Sequence, residues 1–246
     1  MAIEILYEDN HVLVVNKRAG TLVQGDQTGQ RSLQQELKSY IKVRDRKPGN
    51  VYLGIVHRLD KPVSGVMIFA KTSKAAGRLS TLFRKKQVDK LYCALSGLRE
   101  DRFNEDDSWQ EVRVFLQRIK DKTVVCGPES SGAQESILVQ KTVQYDKHLV
   151  HIIKLITGRK HQIRAQLSAL GQPILGDVKY GGKSLDPAEG IRLHAFCCGF
   201  RHPVRDERIV IFSAPPDTFF DGMSVEEQNR LLEILQTECN EKRSDQ

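Results

Sequence analysis

One acidic residue of this chain lies where a carboxylate could be aimed at a substrate. Asp60 belongs to a polar loop, Arg58-Leu-Asp-Lys-Pro-Val-Ser64, between the apolar runs 51–57 and 65–71. If both runs are buried strands, the loop stands on a rigid frame, and Arg58 and Lys61 place positive charge beside the carboxylate. Such a carboxylate could serve as a nucleophile. Spacing alone favours the simpler interpretation, a turn residue that hydrogen-bonds the local backbone.

Three other motifs that could carry chemistry do not fit their patterns. His57-Arg-Leu-Asp-Lys-Pro is similar to a protein-kinase catalytic loop, but its Asp comes one place late and no Asp-Phe-Gly follows. Residues 176–184 are glycine-rich, but Lys183 breaks the spacing of a phosphate-binding loop. The chain has no Gly-x-Ser-x-Gly elbow, so an α/β-hydrolase would lack its nucleophile.

The five cysteines are odd in number, irregularly spaced and without a Cys-x-x-Cys pair. We therefore expect neither a disulfide framework nor a metal site. Cys197 and Cys198 follow His194 closely, but no further ligand is near, and we interpret both as small apolar residues of a strand. His148 and His151 lie on an alternating segment and are interpreted as surface and half-buried residues rather than ligands.

The elements that must position Asp60 follow from hydrophobic periodicity and turn signals. Strands are predicted at 3–7, 11–17, 51–57, 65–71, 91–97, 112–118, 123–126, 136–145, 149–156 and 207–214. Helices are predicted after the capping box at 32–35, from about residue 73, over 159–170 with Gly171 as the C-cap, and over 224–238 with Leu231, Leu232 and Leu235 inward. Strands and helices interleave without regular βαβ alternation, so we predict an α+β fold with a mainly antiparallel sheet.

Composition indicates a soluble globular chain, with 39% hydrophobic and 28% charged residues. No apolar run approaches the roughly 20 residues of a membrane span, and no signal-peptide pattern opens the chain, so we expect a cytoplasmic protein. The formal net charge of +7 is compatible with a polyanionic partner. Basic clusters at 44–47, 84–86 and 159–160 contrast with the acidic segment 100–111, although each cluster by itself fits a solvated helix end.

Several motifs, in order along the chain, resemble RluA-type pseudouridine synthases. The strongest is His57-Arg-Leu-Asp-Lys-Pro-Val-Ser-Gly65, which is similar to the family's catalytic His-Arg-Leu-Asp-x-x-Thr-Ser-Gly. The others are the opening strands at 5–17, Lys90-Leu-Tyr-Cys-Ala94, Thr157-Gly-Arg-Lys-His-Gln-Ile-Arg164 continuing to 171–181, and Leu193-His-Ala195. The resemblance covers about residues 3–215.

The resemblance implies a function and a role for each matching residue. The chain would isomerise uridine to pseudouridine in rRNA or tRNA, with Asp60 as the attacking carboxylate and Arg164 as its partner. Tyr92 would stack on the target base and help to remove the C5 proton, and Arg58 would fill the gap that the flipped base leaves. The remaining residues implied in substrate binding are His57, Arg159, Lys160 and Ile163. Because the reaction is an isomerisation without redox change, we expect no cofactor and no metal.

Departures from the family pattern bear on substrate preference. Arg18 replaces a common Pro, Val63 a common Thr, Lys160 a common Thr and Gln166 a common His. Two alternatives stay open at this stage, a catalytically silent RNA-binding or ribosome-assembly protein and a base-excising hydrolase. The intact set of Asp60, Tyr92 and Arg164 favours the enzyme.

We expect residues 1–222 to form the catalytic domain and residues 223–246 to form a C-terminal helix and polar tail. The chain starts directly at the catalytic domain, without the S4 domain of many relatives, so the catalytic domain itself or its partners would recognise RNA. We expect a monomer that holds RNA phosphates with Arg44, Arg46, Arg84, Lys85 and Lys86.

Overall fold

The computed structural model describes residues 3–27, 29–97, 108–145, 147–220 and 222–244. Most of the acidic segment predicted at 100–111, and the last residues of the tail, lie outside these ranges. The strands are β1 (Glu4–Glu8), β2 (Val12–Lys17), β3 (Gly54–Ile55), β4 (Ser64–Ala70), β5 (Asp89–Gly97), β6 (Gln110–Ile119), β7 (Lys122–Cys126), β8 (Gln134–Tyr145), β9 (His148–Leu155), β10 (Leu193–Arg201) and β11 (Arg208–Phe212). The helices are α1 (Leu33–Arg44), α2 (Ser73–Arg84), α3 (Gln162–Ala169) and α4 (Val225–Ser244).

The described strands form one mixed sheet. Its order is β1-β2-β4-β10-β5-β9-β8-β6-β7, with β11 added to β10 and β3 to β4. The β4–β10 pair is parallel and the other pairs are antiparallel. The predicted α+β class with a mainly antiparallel sheet is therefore confirmed. Strand β10 lies near the middle of the sheet and is buried from Leu193 to Phe200, as a strand covered on both faces must be.

Most predicted elements form where local signals place them. The capping box is present at the start of α1, where the Ser32 hydroxyl and the Gln35 side chain each bond the other residue's backbone N–H. In α4, Leu231 and Leu235 are fully buried as predicted, whereas Leu232 is only partly buried. None of the described helices is both long and apolar enough to cross a membrane.

The strand predicted over 51–57 shrinks to the two residues of β3. The available edge of β4 is shared, because β10 pairs with its first residues and β3 with Phe69 and Ala70. Between these pairings the Ile68 N–H donates to Nε2 of His57 at 2.9 Å, so a side chain replaces a strand partner there. The helix predicted over 159–170 starts later, at Gln162, because His161 adopts a left-handed conformation with φ 53°.

The cysteine and histidine predictions need two corrections. Cys197 and Cys198 are buried strand residues as predicted, but Cys197 is disulfide-bonded to Cys239 of α4, with their Cα atoms 6.5 Å apart. This disulfide links α4 to the central strand. The two cysteines are 42 residues apart in the sequence, so no local pattern predicts that they pair. His151 is fully buried rather than half-buried, because hydroxyl groups on both sides hold its ring nitrogens.

Candidate active site

The loop that carries Asp60 is fixed by backbone hydrogen bonds. The Val63 N–H donates to the Asp60 carbonyl at 3.1 Å and closes a turn. The Lys61 carbonyl accepts from the Gly20 N–H at 2.8 Å, and the Pro62 carbonyl accepts from the Ile191 N–H at 3.1 Å. Residues distant in the sequence therefore hold the Lys61 and Pro62 carbonyl groups, and together with the turn bond they keep Asp60 in one orientation.

The side chain of Lys17 anchors this loop by hydrogen bonds. It ends β2, is fully buried, and donates from Nζ to the carbonyls of Arg18 at 3.0 Å, Lys61 at 3.1 Å and Val63 at 2.6 Å. Three carbonyl acceptors use all three N–H bonds of an ammonium group. Burial lowers the pKa of Lys17 to about 7, and the nearby Asp60 carboxylate opposes that fall. A neutral amine has only two N–H bonds, so the three carbonyl acceptors fit the ammonium form, and Lys17 supports the loop and places positive charge near Asp60.

Gly65 lets the loop approach the centre of the sheet. Its φ is 121°, and a Cβ atom there would lie 2.3 Å from the Ala195 carbonyl oxygen. That distance is far below any allowed contact, so a side chain at this position would push β4 away from β10. The Ser-Gly pair after Asp60 thus allows the parallel pairing that places the loop beside β10.

Arg164, on α3, is the partner of the Asp60 carboxylate. Its Nη1 donates to Oδ2 of Asp60 at 3.2 Å, and its Nε and Nη2 make a bidentate pair with Asp177 at 2.7 and 2.8 Å. Burial would lower the pKa of Arg164, but its hydrogen bonds to Asp177 raise it overall. We call Lys17, Asp60, Arg164 and Asp177 the charged cluster. Asp177 fixes the guanidinium, and the guanidinium in turn holds one oxygen of Asp60 by a charge-assisted hydrogen bond.

The two oxygens of Asp60 have different surroundings. Oδ2 lies 3.2 Å from Arg164 Nη1 and 3.6 Å from Nε2 of His161. Within the described part of the chain, no residue donates a hydrogen bond to Oδ1. The side chain is 26% exposed, so this second oxygen faces solvent. One oxygen is therefore held, and the other has no donor among the described residues.

Two buried side chains supply the apolar part of the wall around Asp60. Tyr92, on β5, and Ile163, on α3, are both buried in the main core and both line the cavity in front of Asp60. Burial raises the pKa of Tyr92, and the Asp60 charge adds to the increase. At neutral pH Tyr92 is therefore a neutral phenol whose ring offers a flat surface.

The cavity in front of Asp60, which we call the cleft, has a volume of about 1260 Å³. Arg58, Arg159 and Lys160 are exposed side chains on its wall, where the sequence predicted substrate contacts. His57 also lines the cleft, but its ring stacks on Phe83 with centroids 4.6 Å apart and its Nε2 is occupied by the Ile68 N–H. Burial lowers the pKa of His57 to about 3, so the ring is neutral.

Positive charge is concentrated in the cleft. Ten lysine and arginine side chains line it, against two aspartates, Asp26 and Asp60. Of the predicted phosphate ligands, Arg84 and Lys86 line the cleft, whereas Arg44, Arg46 and Lys85 do not. Arg44 instead bonds Glu8 and Asp45. Cleft cations that sequence reasoning did not single out are Lys90, Arg118 and Lys179.

Sequence reasoning assigned no role to Lys17, His161, Asp177 or Tyr180, although each lies in a motif that carried the resemblance. The sequence signal that could have identified these four residues was their position within those motifs. Their partners could not be inferred, because the contacts join residues as far apart in the sequence as His161 and Asp60, which are 101 positions apart. The assembled site holds a carboxylate paired with a buried guanidinium, and a flat aromatic wall, inside a basic cleft. Such a site suits nucleophilic attack on a flat, polyanionic substrate.

Comparison with known proteins agrees with this geometry. Residues 11–169 match the family model described as RNA pseudouridylate synthase. The chain is 32% identical over 241 residues to "tRNA pseudouridine synthase C" of Pasteurella multocida, covering 92% of this chain and 96% of that protein. It is 35% identical over 225 residues to "Ribosomal large subunit pseudouridine synthase C" of Buchnera aphidicola, covering 88% and 68%. The solved structure of human RNA pseudouridylate synthase domain containing 4 superposes with a TM-score of 0.69 at 25% identity, covering 88% of this chain and 90% of that one.

Proposed function

The chain belongs to the RNA pseudouridylate synthase family, and we propose that it isomerises uridines of structured rRNA or tRNA with Asp60 as the attacking carboxylate. The observation that carries this proposal is the state of Asp60. Its loop is fixed on every side, Arg164 holds one of its oxygens, and the other oxygen opens into a cleft lined by ten cationic side chains. Positive charge of this density attracts RNA phosphates and raises the rate of encounter.

The isomerisation needs one nucleophile and one proton acceptor. The bond between N1 of uracil and C1′ of the ribose breaks, the uracil turns within the site, and C5 bonds to C1′. A carboxylate can start this sequence by attacking either C6 of the base or C1′ of the sugar, and it is regenerated when the new carbon–carbon bond has formed. Arg164 stabilises the carboxylate both before attack and when it leaves.

Tyr92 supports the base rather than acting as a phenolate. Because burial raises its pKa, the ionised form is disfavoured at neutral pH. Its ring lines the cleft together with Ile163, so a uracil could stack there while Oδ1 of Asp60 attacks. The neutral tyrosine hydroxyl would then orient a water that carries the C5 proton away, because a neutral phenol is too weak a base to accept that proton itself.

Arg58 has the exposure that base flipping requires. It lies two residues before Asp60, is exposed, and lines the same cleft. Extruding a stacked base costs a few kcal/mol, and a guanidinium plane can fill the gap that the base leaves. Arg159 and Lys160 line the same cleft, and we propose that they bind the flanking phosphates.

The proposal is tested by tritium release from RNA labelled at C5 of uridine, because the label is lost when C5 bonds to C1′. Bulk rRNA and tRNA are used with the wild type, Asp60→Ala and Asp26→Ala. We expect release by the wild type and by Asp26→Ala, which removes the other cleft carboxylate, but none by Asp60→Ala. The RNA that loses label identifies the substrate class. Equal release by Asp60→Ala would contradict the assignment of the nucleophile.

We also propose that the protein acts as a monomer in the cytoplasm. The site supports the first part, because one chain supplies each residue of the charged cluster and the cleft walls. Light scattering at the concentrations of the activity assay checks it, and a stable dimer would contradict it.

A further inference from the structure

His161 faces the catalytic carboxylate from a backbone conformation that few residues adopt. It precedes α3 with φ 53° and ψ 22° in the left-handed region, and its side chain makes no helix-capping bond. A non-glycine residue in this region is disfavoured and is maintained only when its surroundings hold it there. The surroundings of His161 are Asp60 on one side of the ring and Tyr180 on the other.

The hydrogen bonds around Tyr180 determine which ring nitrogen of His161 carries the proton. The Thr123 N–H donates to the Tyr180 hydroxyl oxygen at 2.9 Å. Tyr180 is 3% exposed, so its own hydroxyl hydrogen must also find an acceptor inside the protein. Nδ1 of His161 lies 2.9 Å away and provides that acceptor. With Nδ1 occupied as an acceptor, the ring proton is on Nε2, which is the nitrogen that faces Asp60.

The groups around the ring keep it neutral. Burial lowers the pKa of His161, and although the Asp60 carboxylate opposes this, the positive charges of Arg164, Lys160 and Lys179 lower it further. Burial also raises the pKa of Tyr180, which therefore keeps its hydrogen. Asp60 thus faces a neutral N–H donor from His161 and a cationic one from Arg164.

Both donors point at the same oxygen of Asp60. Arg164 Nη1 lies 3.2 Å from Oδ2, and His161 Nε2 lies 3.6 Å from it, just beyond hydrogen-bond range. Contacts of this kind tighten when substrate fills a site. Tyr180 supports both donors, because the Arg164 guanidinium also lies 4.9 Å from its ring centroid.

We propose that His161 is a positioning residue, which Tyr180 locks with its proton on Nε2, so that His161 and Arg164 together occupy Oδ2 of Asp60 and leave Oδ1 as the attacking atom. This inference rests on the proposed function in naming Asp60 as the nucleophile. When Oδ1 forms its bond to the substrate, Oδ2 becomes the carbonyl oxygen of the resulting adduct. When the adduct breaks, the electron pair of that bond returns to the carboxylate, and the same two donors stabilise the returning charge.

The tautomer can be tested without RNA, by the ¹⁵N chemical shifts of the histidine side chains in the free protein. The signals of His161 are identified as those missing from the spectrum of His161→Gln. We expect an unprotonated Nδ1 and a protonated Nε2 in the wild type, and a mixture of tautomers in Tyr180→Phe. A proton on Nδ1 in the wild type would overturn the proposal, whatever the protein does to RNA.

Kinetics test the positioning role. Gln keeps an N–H donor near the place of Nε2, whereas Leu has similar size and no donor, and both accept the same backbone conformation equally poorly. We expect His161→Leu to lower the single-turnover rate roughly 10–100-fold at unchanged RNA affinity, and His161→Gln to stay within about threefold of the wild type. Equal losses in Leu and Gln, or no loss in Leu, would each overturn the proposal. Inactivity of the wild type would instead refute the proposed function and leave the tautomer result standing.

A double variant separates the role of Tyr180 from a general packing effect. If Tyr180 acts through His161, adding Tyr180→Phe to His161→Leu should cost the rate little beyond His161→Leu alone. Full additivity of the two losses would show that Tyr180 acts independently, against the proposed lock.

Discussion

The charged cluster around Asp60 and the two buried histidines of the sheet, His151 and His194, satisfy polar groups in different ways. Nε2 of His194 donates to the Ser213 carbonyl at 3.0 Å, and its Nδ1 accepts from the Ser64 hydroxyl at 2.8 Å. His151 is held between Ser96 at 2.8 Å and Thr142 at 3.2 Å. Both rings are fully buried, and burial lowers the pKa of each to about 4.

Each ring nitrogen of these two histidines has a neutral hydrogen-bond partner, so neither ring can form a further hydrogen bond. The charged cluster is also mostly buried, but it is built from acidic and basic side chains, and Oδ1 of Asp60 has no hydrogen-bond donor among the described residues. A polar group whose bonds are all satisfied by neutral partners inside the fold has no bonding capacity left for a substrate. The comparison supports the proposal that Asp60 reacts through Oδ1, because its surroundings hold this carboxylate in place but leave that oxygen unpaired.

The largest effect should come from breaking the charged cluster at Asp177. Asp177→Leu leaves the Arg164 guanidinium buried with only Asp60 as a partner, which we expect to destabilise the fold by about 3 kcal/mol and to abolish most activity. The double variant Arg164→Met/Asp177→Leu removes both charges. It should recover most of the stability but none of the activity. Urea unfolding and tritium release measure the two properties separately. A double variant as unstable as Asp177→Leu would show that the pair stabilises the fold itself, which would weaken the contrast with the histidines.

The two buried histidines should make the stability of the fold depend on pH. Their pKa values are about 4 in the folded protein, against an ordinary value near 6.5, so between these limits the unfolded chain binds protons that the folded chain does not. Stability therefore falls as pH drops through this window, by at most about 1.4 kcal/mol per pH unit for each histidine. Urea unfolding of the wild type, His151→Asn and His194→Asn at a series of pH values checks this. Each variant should show a shallower slope, and unchanged slopes would mean that neither ring titrates in this range.

The smallest effect concerns the rim of the cleft, where neighbouring lysines offer a matched pair. Lys86 lines the cleft and Lys85 does not, although both are exposed. Lys86→Gln should weaken RNA binding a few-fold and reduce the slope of log affinity against log salt concentration by about 0.7–0.9, the share of one phosphate contact. Lys85→Gln should leave both unchanged. Equal responses of the two variants would indicate that RNA contacts this surface outside the cleft as well.

The sequence by itself determined most of the elements and singled out Asp60 as the candidate reactive carboxylate. Alternation predicted most strands, and the capping box at Ser32 and the apolar face of α4 predicted helices, because these signals act between residues a few positions apart. The ordered motifs located Asp60, Tyr92 and Arg164, which line one cleft in the fold. Resemblance supplied their roles, since spacing alone favoured a turn residue at Asp60.

Only the tertiary structure decided how those residues are held. The strand predicted over 51–57 is cut to two residues because β10 and β3 share one edge of β4, which no local pattern records. The bond from Arg164 to Asp60 spans 104 positions, and Lys17 reaches Lys61 and Val63 across 44 and 46. The tautomer of His161 depends on an N–H of β7 that reaches it through Tyr180. Hydrogen bonds and ion pairs of this kind form only when distant segments pack together. The sequence therefore identifies the residues, and the fold determines which of them become partners.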